Sequence, residues 1–324
     1  MVAEKGTEPL TLQELLELKI DASNFMDNVA VAKAIKLQIG EFKPEIGIIC
    51  GSGLTPIGEQ LEKAIIVPYS QIPGFPRAEV PGHTAALAFG ELEGKKIMCM
   101  LGRFHPYEYN MDLTLCSMPV RIMHLLGVQT LIVSNAAGAI NRNFEFGDLM
   151  LIKDQIFLPG LAGYSPIVKL KDPHFGNCFV SMHSAYDKSL RTLAKKVAKD
   201  IDLKLHEGIY VMSGGPQYES PAEVMLYKTV GADALGMSTC HEVTVARQCG
   251  IRVVGFSLIT NIGNLDADNA AEVTHDEVLD VAKFAANHAT KFVRQLVKEL
   301  DDYTVPPLLD KKTKERMPMY VHEF

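Results

Sequence analysis

The chain contains no C-x-x-C pair, and its six cysteines (Cys50, Cys99, Cys116, Cys178, Cys240 and Cys249) have no zinc-ligand spacing. Several sit in apolar runs, as buried thiols do, so they read as reduced and consistent with the cytosol. No window holds eighteen apolar residues, and the opening MVAEKGTEPLTLQ has no apolar signal core. A soluble cytoplasmic protein is therefore expected, with no membrane partner. Excess positive charge is also missing. The net charge of -7 argues against nucleic acid as the main ligand, so any phosphate site must be local. There is no internal repeat and no low-complexity linker. Although 324 residues could hold two domains, a single one is expected.

What is present is apolar: hydrophobic residues make up 47% of the chain. β-branched apolar runs recur at 46–50, 64–67, 87–89, 97–101, 130–133, 149–152, 209–212, 232–236 and 253–259. Helix-period segments such as 113–126 and 185–199 lie between several of them. The alternation predicts an α/β fold, a parallel or mixed sheet covered by helices. Residues 157–184 lack periodicity and are rich in proline and glycine, which marks a functional loop or an interface. The tail from residue 301 reads as solvated.

Polar residues gather where the apolar runs end. Gly51-Ser52-Gly53 follows the first, but Pro56 stands where a dinucleotide fingerprint needs glycine, and no Lys-Ser/Thr follows. The turn is then either a tight bend or a close backbone approach to an anion. Gly102-Arg103-Phe104-His105-Pro106-Tyr107-Glu108 follows another run. It is either a strand leaving the core for water or an anion site with a hydroxyl reader beside it. Ser134-Asn135-Ala136-Ala137-Gly138 offers small residues, for helix packing or for a planar ligand. Three helix starts carry capping-box patterns, at Ser220–Glu223, Thr239–Glu242 and Thr274–Glu277. Ser238 stands before the second and His275 in the first turn of the third. Strand ends feeding helix starts are where open α/β sheets collect anions.

Taken in order, Gly51-Ser52-Gly53, Pro81-Gly82-His83, Gly102-Arg103-Phe104-His105 with Tyr107-Glu108, Ser134–Gly138, Gly215-Pro216 with Tyr218-Glu219, Gly236-Met237-Ser238-Thr239 and Ser257–Asn261 closely resemble the trimeric purine nucleoside phosphorylases. The resemblance covers residues 24–300, leaving 1–23 as an N-terminal extension and 301–324 as a tail. It implies one α/β domain with a mixed central sheet and a small barrel, flanked by helices. It also implies a homotrimer and the reversible phosphorolysis of purine (deoxy)ribonucleosides to free base and (deoxy)ribose 1-phosphate. No metal or organic cofactor is expected; inorganic phosphate is the co-substrate.

Residue by residue, the resemblance gives Ser52, Arg103, His105, the Ala136 N–H and Ser238 to phosphate, with His83 close by. Arginine suits this because its planar fork donates two parallel bonds. Tyr107, Tyr210, Met237 and His275 would face the ribose, and Phe175 would complete the neighbouring subunit's site, the alternative being a hydrophobic plug under its own loop. Glu108 would orient its neighbours. Ala136, Ala137, Gly138, Tyr218, Glu219, Thr260 and Asn261 would surround the purine. Asn261, Glu219 and His105 are the catalytic candidates. An ionised Glu219 can only accept, which fits the N1 hydrogen of hypoxanthine or guanine and opposes the bare N1 of adenine. Asn261 can donate to O6 and N7.

Three positions depart from the family pattern. Ile262 replaces a common lysine, His241 a common proline, and Tyr218 a phenylalanine of some members. His241, in the first turn beside Ser238, either points into solvent or stands close enough to phosphate to add pH dependence. The polar stretch 263–271 reads as a gate over the purine. A methylthioadenosine phosphorylase would call for aspartate at 261 and threonine at 238, and a dehydrogenase is disfavoured by Pro56. A non-catalytic nucleoside- or phosphate-binding paralogue is the third alternative.

Overall fold

The computed structural model describes residues 10–76, 84–168, 170, 172–265 and 274–300. Among the described residues nine strands follow in chain order: β1 (Ile46–Ile49), β2 (Glu62–Pro68), β3 (Ala86–Leu92), β4 (Lys95–Leu101), β5 (Thr130–Ala139), β6 (Leu149–Phe157), β7 (Leu205–Met212), β8 (Ala234–Gly236) and β9 (Arg252–Ile262). They form one mixed sheet in the order β2-β3-β4-β1-β5-β8-β7-β6-β9, and β9 also pairs with β5. That second pairing closes β5, β8, β7, β6 and β9 into a five-stranded barrel. The fold is a single α/β unit, a mixed sheet with the expected small barrel flanked by helices.

Strand period explains the two cores. Met98 and Met100 of β4 join one apolar cluster, while Ile97, Cys99 and Leu101 join the other. Helices Phe25–Ile39 and Met118–Leu125 cover the first face; Lys188–Asp200 and His275–Glu299 cover the second. Strands buried on both sides read as unbroken apolar runs, which is why β1, β4 and β5 were plain in the sequence.

Local chemistry corrects several boundaries. The expected helix 113–126 divides into Leu113–Cys116 and Met118–Leu125, with Pro119 in the first turn of the second. The helix expected at 185–199 starts at Lys188, because the Asp187 carboxylate accepts the N–H groups of Ser189 and Leu190. The boxes at Ser220 and Thr274 form, but the one at Thr239 does not. Thr239 has φ +79° and caps nothing with its side chain. Helix Phe25–Ile39 has no counterpart in the periodicity reading. Leu15 and Ala22 of the presumed extension are buried, so that segment packs onto the domain.

All six cysteines are free, and five are buried. No helix among the described residues is long and apolar enough to cross a membrane.

Candidate active site

β1, β4, β5 and β9 run parallel, so their carboxyl ends meet at one edge of the sheet. Open α/β sheets bind ligands outside such ends. A cavity of about 250 Å³ lies there. It brings together Ser52, Arg103, His105, Tyr107, Ala136, Ala137, Gly138, Tyr218, Glu219, Met237, Ser238, Thr260 and Asn261, all expected site residues. The motif residues Pro216 and Gly236, with Leu235 and Val278, which the sequence did not single out, complete the wall.

The Gly51-Ser52-Gly53 turn owes its glycines to close approach. A Cβ on Gly51 would stand 2.7 Å from the Asn135 Cα, and one on Gly53, at φ +73°, would strike Ala282. β5 and helix His275–Glu299 thus clamp the turn that presents Ser52. Arg103 leaves β4 through Gly102, and its guanidinium is buried. Its Nε and Nη2 donate to the Glu242 carboxylate at 3.1 and 2.8 Å, and Nη1 donates to the Ser134 carbonyl at 2.6 Å. Three of its five N–H groups are committed inside the protein, leaving one on each terminal nitrogen.

Glu242 was legible only as part of a capping box; it is instead the counter-ion of an arginine 139 residues away. Burial, the largest single influence, pushes its carboxyl upward, but the Arg103 charge and hydrogen bonds, together with the nearby His241 and His105, outweigh it and hold the carboxyl below the ordinary glutamate value. The pair therefore contributes stability that is complete above the usual glutamate range and lost as pH falls through the depressed value. The gap in urea midpoint between the wild type and Glu242→Gln should accordingly shrink on acidification. A gap constant down to acid pH would contradict this.

His105 is buried, which pushes its imidazole below the ordinary histidine value, partly opposed by Glu108. Glu108 accepts the His105 backbone N–H at 2.9 Å and approaches Nδ1 at 3.4 Å, the orienting role expected of it. Tyr107 stacks on the His105 ring with centroids 5.2 Å apart. Ser238 is buried, its N–H donating to the Tyr210 hydroxyl at 3.4 Å. Asn135 holds the neighbouring Thr239 hydroxyl at 2.9 Å. Asn261 accepts from the Thr260 hydroxyl at 3.1 Å through Oδ1, which leaves its amide nitrogen as a donor beside Gly138.

Other expectations shift. Tyr210, expected against the ribose, is fully buried and stands behind Gly236 and Ser238 without lining the cavity. Phe175 is 8% exposed and packs within its own chain, edge-on to Phe25 at 5.5 Å and under the Arg121 guanidinium at 5.3 Å. His241 is wholly buried, not solvated, and neither ring nitrogen has a partner among the described residues. Burial lowers its imidazole to about 4, so it is neutral at physiological pH. Ile262 packs against the core. His83 and most of the 263–271 gate lie outside the described residues; His275 opens its helix, but its side chain is not described.

Residues 45–298 match the family model described as "Phosphorylase superfamily". A purine nucleoside phosphorylase of Mus musculus is 48% identical over 266 residues, covering 82% of this chain and 92% of that protein. The chain belongs to the purine nucleoside phosphorylase family. The Geobacillus stearothermophilus purine nucleoside phosphorylase 1 is 44% identical over 280 residues, covering 85% of this chain and 99% of its own length. Among solved structures, Schistosoma mansoni purine nucleoside phosphorylase in complex with adenosine superposes with a TM-score of 0.82 at 41% identity, covering 86% of this chain and 98% of that one. The inosine complex of the same protein gives 0.81 with the same identity and coverage. In this family member, Ser213 is a further residue the sequence did not single out. Its hydroxyl donates to the Glu219 Oε1 at 2.5 Å. No motif marks Ser213; its role depends on where the 214–219 loop returns.

Proposed function

We propose that this phosphorylase cleaves 6-oxopurine (deoxy)ribonucleosides, such as inosine and guanosine, with inorganic phosphate to give the free base and (deoxy)ribose 1-phosphate. The observation that carries the reading is one cavity holding an acceptor-only carboxylate, Glu219, and a donor amide, Asn261, next to Arg103, His105, Ser52 and Ser238.

The bases fit by donor and acceptor. Glu219 accepts from purine N1–H, and from the 2-amino group of guanine. Asn261 donates toward O6 and N7. As the C1′–N9 bond breaks, the sugar gains oxocarbenium character and the purine gains negative charge. The Asn261 donor meets that charge where it develops. Phosphate, held by the remaining Arg103 N–H groups, Ser52, Ser238, the Ala136 N–H and His105, attacks C1′ from the opposite side. His83 would stand nearby. Met237 and Tyr107 flank the ribose, with Tyr210 behind them, and His275 would bond its 5′-hydroxyl. No covalent enzyme intermediate is required, and positioning supplies much of the rate. Inorganic phosphate is the co-substrate. Among the described residues no group of His, Cys, Asp or Glu is placed to hold a metal ion.

A cytoplasmic homotrimer in purine salvage completes the reading. In it, Phe175 contributes to a neighbour's ribose wall only through the edge that its own chain leaves uncovered.

Inosine incubated with and without phosphate tests the proposal. Phosphate-dependent release of hypoxanthine and ribose 1-phosphate is expected, with guanosine accepted and adenosine turned over poorly. Phosphate-independent release would indicate a hydrolase. Binding without turnover would indicate a sensor paralogue. Faster cleavage of adenosine or methylthioadenosine than of inosine would overturn the base assignment.

A further inference from the structure

We propose that Ser213 is a specificity-determining residue: it holds Glu219 as a fixed acceptor and so biases the site toward bases that carry hydrogen on N1. The inference rests on the 6-oxopurine reading above and extends it to a residue that does not itself touch the base.

Ser213 is placed rigidly. It follows the last residue of β7, and its N–H donates to the Gly236 carbonyl at 2.8 Å, continuing the β7–β8 register. The side chain is buried with the rest of the residue. Its hydroxyl therefore occupies a position set by the barrel, while Glu219 sits on the loop that returns to helix Pro221–Thr229. The 2.5 Å bond joins the two. Among the described residues it is the bond that a side chain donates to this carboxylate.

Burial pushes the Glu219 carboxyl upward, and the nearby Glu223 adds to the push; the Ser213 hydroxyl is the leading opposing influence, joined by the Glu219 backbone N–H. Among the described residues, the titratable groups facing Glu219 are Tyr218 beside it and Glu223 and Tyr227 on helix Pro221–Thr229, and none of these is a cation. A hydrogen bond donated to an ionised carboxylate is among the stronger kinds, and here it acts without help from a positive charge.

Two consequences follow for the base. Oε1 is turned toward Ser213, so Oε2 is the oxygen presented to purine N1–H. A protonated Glu219 would carry an O–H that can donate to the bare N1 of adenine. Whatever keeps the carboxyl ionised therefore discriminates against adenosine.

Steady-state kinetics on inosine and adenosine, at saturating phosphate from about pH 5 to 8, test the idea with Ser213→Ala, Ser213→Thr, Glu219→Ala and the double alanine variant. Ser213→Ala should raise the inosine KM roughly tenfold or more, with a smaller change in kcat. Its acid limb of kcat/KM should move to higher pH, and the adenosine-to-inosine ratio should rise, most in acid. Ser213→Thr should restore all three, and the double variant should be no worse than Glu219→Ala. Ser213→Ala with wild-type KM and acid limb, beside a Glu219→Ala defect, would overturn this inference while sparing the base reading. A raised KM without movement of the acid limb, and without rescue by threonine, would reduce Ser213 to packing and equally overturn it. A Glu219→Ala variant with wild-type inosine kinetics would remove the base reading itself and this inference with it.

Discussion

Asn261→Ala should lower inosine turnover roughly 100- to 1000-fold, corresponding to about 2.7–4 kcal/mol of lost transition-state stabilisation. The size follows from where the amide sits. Thr260 fixes it by bonding Oδ1, so the amide nitrogen waits as a pre-aimed donor at the base side of the cavity. A donor held in place pays no reorganisation as charge builds on the purine. In the ground state the neutral base gains less from it, so kcat should fall more than KM rises. Single-turnover measurements with inosine check this. A variant whose chemical step runs within a few-fold of wild type, by the order of magnitude set for such donors, would contradict it.

Arg103→Ala should act on two levels. In the proposed cradle its remaining N–H groups would be the strongest donors to phosphate, and charge-assisted bonds are each worth about 1.5–3 kcal/mol. The phosphate KM should therefore rise at least roughly tenfold. The substitution also leaves the Glu242 carboxylate buried without its counter-ion. Removing one partner of a buried pair costs about 3–5 kcal/mol, because the other charge is stranded. Urea unfolding should show that loss. Arg103→Ala combined with Glu242→Gln should recover much of the stability, since no buried charge remains, but not the phosphate affinity. Recovery of phosphate KM in the double variant would show that Arg103 serves only the fold. Unchanged phosphate kinetics in the single variant would remove it from the cradle.

The sheet was legible because buried parallel strands leave continuous apolar runs, as in β1 and β4. The polar residues at their ends stood out against those runs. The glycine turn at 51–53 and the capping boxes at Ser220 and Thr274 were legible for the same local reason.

Pairings between distant segments left no trace in sequence. Glu242 fitted a local capping pattern with Thr239, and only the buried guanidinium of Arg103 shows why that pattern yields. Ser213 looked like the end of a strand until the following loop returned Glu219 to it. His241 shows how a polar residue in a first helical turn can be assigned to solvent and prove fully buried. Helical burial depends on what packs against a face, not on the residue alone. The extension of β5 through Ala139 has a similar cause. Its small residues have little strand propensity of their own, yet β9 and β8 pair with them and hold them extended.

The central claim is that residues 219 and 261 grip opposite edges of a 6-oxopurine above a phosphate held by Arg103. A crystal structure with hypoxanthine and phosphate bound tests it most directly. The account predicts Glu219 Oε2 within hydrogen-bond distance of purine N1, the Asn261 amide on O6 or N7, and phosphate against Arg103, Ser52 and Ser238. Hypoxanthine bound in that cavity with both side chains turned away from its ring would contradict it.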